Sequence, residues 1–392
     1  MKAFTCKILL VFGVLFFAPH LNVAAQENQA AGKITDQGPL TTEENPGNLE
    51  TQEGSTTEES TTQETEERTN ENQEEVEPPA HESNRDPNFY PDVSVNHWVY
   101  EDLLLLIKEN VVVRSVDEYF EPNRAIRRGD LIRYILRAKG IDAPELLPIK
   151  GPRFKDVTKN IDTYYYIEVA YSMAITNGIT RNTFKPLGPS TREASIAMII
   201  RAMGLEAEAN NFNKMAKTLE PFADKDQISK DLKRIVAYAI DKGMIQGAKK
   251  NGKLLVNPQE YTTRAQAVSM VSRFILPEIK DHKTVSVDGI NVKYHKVIKV
   301  EASAYSNEQA NLDDFTSTGL LVRHGIVAVD PNVIPYGTHL YIEGYGYGVA
   351  GDTGGAIKGN KVDLAFPTVK ECLQYGRKSN VKVYILDNKS SF

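Results

Sequence analysis

The sequence predicts a multidomain chain: a compact α-helical domain of three repeats, then a small β-barrel, behind a disordered acidic N-terminal tail. Three observations predict this order. Short motifs recur three times between Phe89 and Leu276 at matching offsets. After Pro277, helical spacing gives way to alternating apolar residues and closely placed glycines. Between Gln26 and Asn88, large apolar residues are almost missing.

The chain opens with Lys2 and Lys7, an apolar run from Ile8 to Pro19, and Val23-Ala24-Ala25. That order reads as a secretory signal over residues 1–25, cut after Ala25. The run is shorter than the roughly 20 apolar residues of a membrane span, and no other segment is apolar enough to be one. Cys6 precedes the run, which argues against a lipid-anchored cysteine. Residues 26–88 hold 17 Asp and Glu against 3 Lys and Arg. Such a segment cannot bury enough surface to offset its ordering entropy, so a disordered acidic tail is expected. The chain carries −6 overall, yet the part from Phe89 onward is basic, with 41 Lys and Arg against 35 Asp and Glu. A basic body suits anionic partners such as wall polymers; no nucleic acid partner is expected. Without the signal only Cys372 remains, so no internal disulfide can form. Thr368 to Gly376 reads as a short helix ended by a glycine, with a buried, inert thiol.

The repeats are explicit. The first copy, 89–145, has Tyr90-Pro91-Asp92-Val93, Trp98, Phe120-Glu121-Pro122 and Arg127-Arg128-Gly129-Asp130. The second, 150–206, has Phe154-Lys155-Asp156-Val157, Tyr165, Phe184-Lys185-Pro186 and Thr191-Arg192-Glu193-Ala194. The third, 218–276, has Phe222-Ala223-Asp224, Val256-Asn257-Pro258 and Thr263-Arg264-Ala265-Gln266. In each, an arginine falls eight residues after the Phe or Val that opens the second motif. Helical spacing over 103–109, 166–175 and 232–240 predicts a first helix per copy, with Gly178 and Gly243 as stops in the second and third. A second helix starts near each arginine; Thr191 is a plausible N-cap, and Ile196, Ile199, Ile200 and Met203 form its apolar face. Two short helices cannot bury their faces alone, so the copies must pack together.

These copies resemble S-layer homology repeats, which share the aromatic-x-Asp opening, the Phe-x-Pro turn and the Thr-Arg-Ala-Glu-like helix start. The resemblance implies a pseudo-threefold bundle that binds an anionic secondary cell-wall polymer. It implies that Arg128, Arg192 and Arg264 line the receiving grooves, with Asp92, Asp156, Asp224 and Trp98 contributing. An Arg fork at a helix N-terminus offers a carboxylate bidentate donors and a favourable dipole. The first copy departs with Arg-Arg-Gly-Asp, and the third lacks the tryptophan and the glutamate.

In the last part, Val285 to Val292 alternates around Asp288-Gly289, a hairpin signal. Strand-like runs follow at 297–304, 325–329, 339–342 and 381–386, with one short helix over 367–375 and dense glycines over 337–359. Short strands and tight turns predict a small β-barrel within 285–388. Three aspartates stand out: Asp330 in Ala328-Val329-Asp330-Pro331, Asp352 in a glycine-rich loop, and Asp363 in Val362-Asp363-Leu364. From the residues alone three readings stay open. They form turns, as suits Asp330 beside Pro331. They bind a hard cation, although no Asp-x-Asp-x-Asp loop is present. Or they perform acid/base work on a glycosidic bond, where apolar neighbours raise a carboxyl pKa.

The stretch Glu301 to Asp387 resembles the 3D domain, named for three aspartates, and is similar to the membrane-bound lytic transglycosylase A core and to stationary-phase survival proteins. The matching segments are Ala304-Tyr305, Thr316-Ser317-Thr318-Gly319, Ala328-Val329-Asp330-Pro331, Ile334-Pro335-Tyr336-Gly337-Thr338, the Asp352 loop and Val362-Asp363-Leu364. The resemblance favours the third reading. It implies a double-psi β-barrel that cleaves the MurNAc–GlcNAc bond of peptidoglycan, with Asp363 as the acid, Asp352 in support and Asp330 completing the network. Thr318, Lys358, Gly354 and Gly355 are its expected substrate contacts. No cofactor or metal is expected, and the chain is expected to be a monomer. A hydrolytic muramidase and a glycan-binding module without catalysis are the alternatives.

Overall fold

The computed structural model describes residues 89–113, 119–142, 152–276, 282–309 and 314–387. The signal and the acidic tail read from the sequence lie outside these residues. No helix among the described residues is long and apolar enough to cross a membrane.

The first part contains three helix pairs: α1 (Tyr100–Lys108) with α2 (Arg128–Ala138), α3 (Tyr164–Ser172) with α4 (Arg192–Ala202), and α7 (Lys233–Asp241) with α8 (Arg264–Phe274). Two short helices, α5 (Glu206–Asn210) and α6 (Met215–Leu219), lead into the third pair, which also carries the ribbon β1 (Ala248–Lys250) and β2 (Lys253–Leu255). One device recurs in all three copies. The Asp92 carboxylate accepts the N–H groups of Phe120 (2.8 Å) and Glu121 (2.6 Å). Asp156 does the same for Phe184 (2.9 Å) and Lys185 (2.7 Å). Asp224 does so for Val256 (2.8 Å) and Asn257 (2.7 Å). In each pair the second residue has positive φ, at 54° for Glu121, 58° for Lys185 and 56° for Asn257. Successive N–H groups in such a turn converge on one anion, and the aspartate supplies it.

The copies interlock in a cycle. Arg128 and Gly129 donate their N–H groups to the carbonyls of Gly188 and Pro186, Arg192 and Glu193 to Glu260 and Pro258, and Arg264 and Ala265 to Arg124 and Pro122. Each copy's turn thus satisfies the free N–H groups at the start of another copy's second helix. At the centre, Ile126 donates to Thr262, Thr262 to Ser190, and Ser190 to Ile126. Packing follows the same order: α2 against α3, α4 against α7, and α8 against α1, with α2, α4 and α8 touching one another. Thr191 caps α4 as its sequence suggested, accepting the N–H of Ala194. Gly178 does not stop α3. The helix ends at Ser172, and Ala174, at φ 54°, makes the left-handed turn.

The second part begins with the hairpin β3 (Lys283–Val287) and β4 (Ile290–Tyr294), whose turn residues Asp288 and Gly289 both have positive φ. This hairpin stands outside the barrel. Six strands close that barrel: β5 (Lys296–Tyr305), β6 (Ile326–Ala328), β7 (His339–Ile342), β8 (Gly346–Asp352), β9 (Lys361–Ala365) and β10 (Lys378–Ile385). Their order around the wall is β10-β5-β9-β6-β8-β7. β5/β9 and β6/β8 are parallel, and the other pairs are antiparallel. Inside lie Val300, Ala302, Val327, Leu340, Val362, Leu364 and Val383. Among the described residues of this part there is one helix, α9 (Val369–Tyr375); it starts at a reciprocal cap between Thr368 and Glu371 and buries Cys372, whose thiol pKa burial raises.

The two parts share one core. Val287, Ile290 and Val292 of the hairpin and Tyr341, Tyr347, Tyr384 and Leu386 of the barrel pack into the same apolar cluster as the repeat helices. Close backbone approach seals the seam. At Gly325 (φ +98°) and Gly337 (φ +76°) a side chain would collide with the backbones of Ser172 and Gly204. Polar contacts cross it as well. Lys139 Nζ, after α2, donates to Asp387 (2.8 Å) and to the Ala202 carbonyl (2.9 Å), and Asp387 also holds the His339 ring and N–H.

Candidate functional site

Strand register brings two of the three aspartates together. β6 lies between β9 and β8, and Ala328 is paired with Asp363 on one side and with Asp352 on the other. Ser303, opposite Asp363 in the parallel β5/β9 pair, donates its hydroxyl to the Asp363 carboxylate at 2.7 Å. Tyr305, two residues along the same face of β5, donates its phenol to Asp352 at 3.0 Å. Asp352 also accepts the N–H groups of Ser317 (3.0 Å) and Thr353 (2.8 Å). Burial pushes the Asp363 carboxyl above its ordinary range. The Ser303 hydrogen bond and the Arg377 charge pull it down, and the Asp352 charge pushes it up. Burial, with Asp352 beside it, raises the Tyr305 phenol far above its usual range, so Tyr305 stays a donor.

Asp330 is occupied differently. Its carboxylate accepts the Gly359 N–H (2.8 Å) and both the backbone and side-chain N–H of Asn332 (3.0 Å each). Those backbone bonds, Gly359 first, hold its pKa below the ordinary value. It fastens the glycine-rich loop at Gly359 to the turn after β6. Lys358 is exposed beside it, and its charge adds to the lowering. Thr318 donates to the Gly351 carbonyl (2.5 Å) and lies 3.1 Å from the Thr316 hydroxyl, which steadies the loop whose Ser317 N–H reaches Asp352. Gly354 is half-buried; Gly355 is exposed with open space where a side chain would stand. Among the described residues, no group of three or more His, Cys, Asp and Glu is disposed to hold a metal ion.

In the repeats the three arginines begin α2, α4 and α8 but meet different surroundings. Arg128 is buried; its Nε donates to the Phe184 carbonyl (2.8 Å), and its guanidinium sits 4.8 Å from the Phe184 ring centre. Burial lowers its pKa to about 10. Arg264 lies 4.7 Å over Phe120. Arg192 donates to the Gln246 carbonyl (3.1 Å) and lines a cleft of about 310 Å³ with Trp98, Gln266, Ser269 and Arg273. Trp98 is 58% exposed there. Asp92, Asp156 and Asp224 spend both carboxylate oxygens on the backbone turns described above. Ser303 and Tyr305, absent from the expected site residues, are the main additions. Alternation along β5 puts them on one face, but only the register with β9 shows which acids they meet.

Family comparisons agree with this division. The model of the 3D domain matches residues 325–387, and that of the S-layer homology domain matches residues 89–132 and 153–194. YabE of Bacillus subtilis (strain 168), a protein named for cell wall shaping, is 42% identical over 111 residues, 27% of this chain and 27% of its own length. The cell wall-binding protein YocH of the same organism is 40% identical over 108 residues, 26% of this chain and 38% of YocH. The surface-layer 125 kDa protein of Lysinibacillus sphaericus is 26% identical over 221 residues, covering 56% of this chain and 17% of that protein. The chain thus spans well under half the length of each of these relatives.

Proposed function

We propose that this chain, a cell-surface protein with S-layer homology and 3D domains, is an anchored enzyme that cuts peptidoglycan glycan strands. The reaction is lytic transglycosylation at the MurNAc–GlcNAc bond. The barrel, with its two parallel strand pairs, is read as a double-psi barrel. Residues 218–276 are read as a third repeat that completes a pseudo-threefold bundle, and the cleft holding Arg192 and Trp98 takes the anionic secondary wall polymer. One observation carries the catalytic reading. Asp363, raised in pKa by burial and held by Ser303, stands across Ala328 from Asp352, which three donors fix in place.

That pairing suits a mechanism with one acid. The protonated Asp363 carboxyl gives its proton to the glycosidic oxygen as the bond from C1 breaks. The resulting carboxylate takes the proton of the C6 hydroxyl while that oxygen closes onto C1, leaving a 1,6-anhydro ring and restoring the acid. Asp352 faces the positive charge that develops at C1. Digestion of purified peptidoglycan with mass analysis tests the reading. Anhydro-muropeptides are expected, and Asp363→Asn is expected to lower their yield by at least about 10²-fold. Reducing ends instead would make the enzyme a hydrolase. Unchanged activity in the variant would remove Asp363 from the chemistry. The name of YocH favours a second reading, in which the barrel binds glycan without cutting it. Intact strands that sediment with the protein would establish that one.

A further inference from the structure

The mechanism above leaves unused a cleft of about 310 Å³ at the seam between the second repeat and the barrel. Tyr171, Asn177 and Arg181 line it from the repeat; Phe315, Thr318 and Arg323 line it from the barrel side. It opens one residue from the site, because Ser317, beside Thr318, is a donor to Asp352. Arg323 is its unusual member. Only 8% exposed, the guanidinium lies 4.0 Å over the Tyr171 ring. Nη2 donates to the Tyr171 carbonyl (3.1 Å) and the Asn177 side-chain oxygen (3.2 Å), and Nε leans on the same carbonyl (3.4 Å). All these acceptors are neutral. Among the described residues no carboxylate pairs with Arg323, and Glu206 on the cleft wall is engaged by Arg201 at 2.7 Å. The Glu206 charge reaches Arg323 but is shared with Arg201, so the buried cation is under-compensated, and an incoming anion would relieve that cost. Arg181 adds an exposed second cation, and Phe315, 60% exposed, offers an aromatic face of the kind on which sugar rings stack.

We propose that this cleft is a second glycan subsite, taking a segment of peptidoglycan strand that bears a carboxylate. Arg323 and Arg181 face the acid, and Phe315 stacks on a sugar. The inference rests on the reading that peptidoglycan is the barrel's substrate, and it makes the second repeat part of the substrate path.

The test uses the full chain carrying Asp363→Asn, so that ligands are bound and not cut. Two soluble probes are titrated calorimetrically: a peptidoglycan tetrasaccharide with its stem peptides, and chitotetraose, which has no carboxylate. Arg181→Gln should weaken the peptidoglycan probe about tenfold, the loss of one partly exposed charged contact, and leave chitotetraose unchanged. Phe315→Ala should weaken both probes by about five- to tenfold. Peptidoglycan binding unaffected by Arg181→Gln and Phe315→Ala overturns the subsite alone, since glycan recognition by the barrel would remain. Failure of the parent to bind either probe overturns the subsite and the substrate reading together. Binding that depends on the seam, with no strand cleavage by the unsubstituted chain, keeps the subsite and ends the catalytic assignment.

Discussion

At the scale of single residues, Ser303 sets how far the Asp363 carboxyl is perturbed. Its hydroxyl bonds to the charged form of Asp363 and so opposes the upward push of burial. A general acid must be protonated, so cleavage should fall as pH rises through the Asp363 pKa. Ser303→Ala removes the opposing hydrogen bond and should move that descending limb to higher pH, with the maximal rate largely kept. A pH–rate profile of strand cleavage checks it; a limb that stays in place or moves to lower pH would show that Ser303 does not tune the acid. Stability has the matching sign. An acid whose folded pKa is raised binds its proton more tightly in the native state, so its contribution declines as pH rises from the ordinary carboxylate range through the folded value. Asp363→Asn should therefore leave the melting temperature near neutral pH unchanged or higher.

At the scale of elements, the aspartate that closes each repeat's turn does more than hold its own loop. The turn at Val256 and Asn257, fastened by Asp224, presents the Pro258 and Glu260 carbonyls to the first N–H groups of α4. Asp224→Asn keeps one acceptor and turns an N–H₂ toward the other donor, at a cost of about 1–3 kcal/mol for the buried group left unmatched. The same change at Asp92 should cost less, because the Glu121 end of its pair is exposed and water can replace the lost acceptor. Thermal melts of the two variants should rank Asp224→Asn below Asp92→Asn; the reverse order would contradict the burial argument. The repeat was readable because its aspartates, turn residues and arginines keep fixed offsets. The β3–β4 hairpin was readable because its alternation brackets Asp288-Gly289. Strands β8 and β9 were not. Gly346, Gly348 and Gly351 hide the alternation of β8, and a polar residue inside β9, Asp363, looks like a loop residue until Ser303 is seen opposite it. Ala174 as the turn after α3 was equally hidden, since nothing local distinguishes that alanine from a helical one. The Arg323 contacts with Tyr171 and Asn177 join positions 152 and 146 residues apart, and no local pattern encodes such a meeting.

At the scale of the molecule, the question is whether repeats and barrel are beads on a string or one folding unit. The shared apolar cluster, the glycines pressed against Ser172 and Gly204, and the Lys139–Asp387–His339 group all argue for one unit. Lys139 and Asp387 are each 3% exposed, so neither charge has water to fall back on. Removing Lys139 leaves the buried Asp387 with only His339 to match it, at a cost of up to about 3–5 kcal/mol. Lys139→Met should therefore destabilise the barrel and the repeats together. Hydrogen exchange should show equal losses of protection in α4 and β9, two elements that Lys139 does not belong to. The Asp387 carboxyl responds to the same group. Burial alone would raise its pKa, but His339 and Lys139 pull it well below the ordinary carboxylate range. A depressed folded pKa contributes stability at pH values above the unfolded pKa, and this is lost as pH falls below about 4. Lys139→Met removes part of that pull, so the variant should lose its largest increment near neutral pH and differ less from the parent in strong acid. Loss of protection confined to the barrel, or a destabilisation that grows on acidification, would show that the seam does not join the two parts.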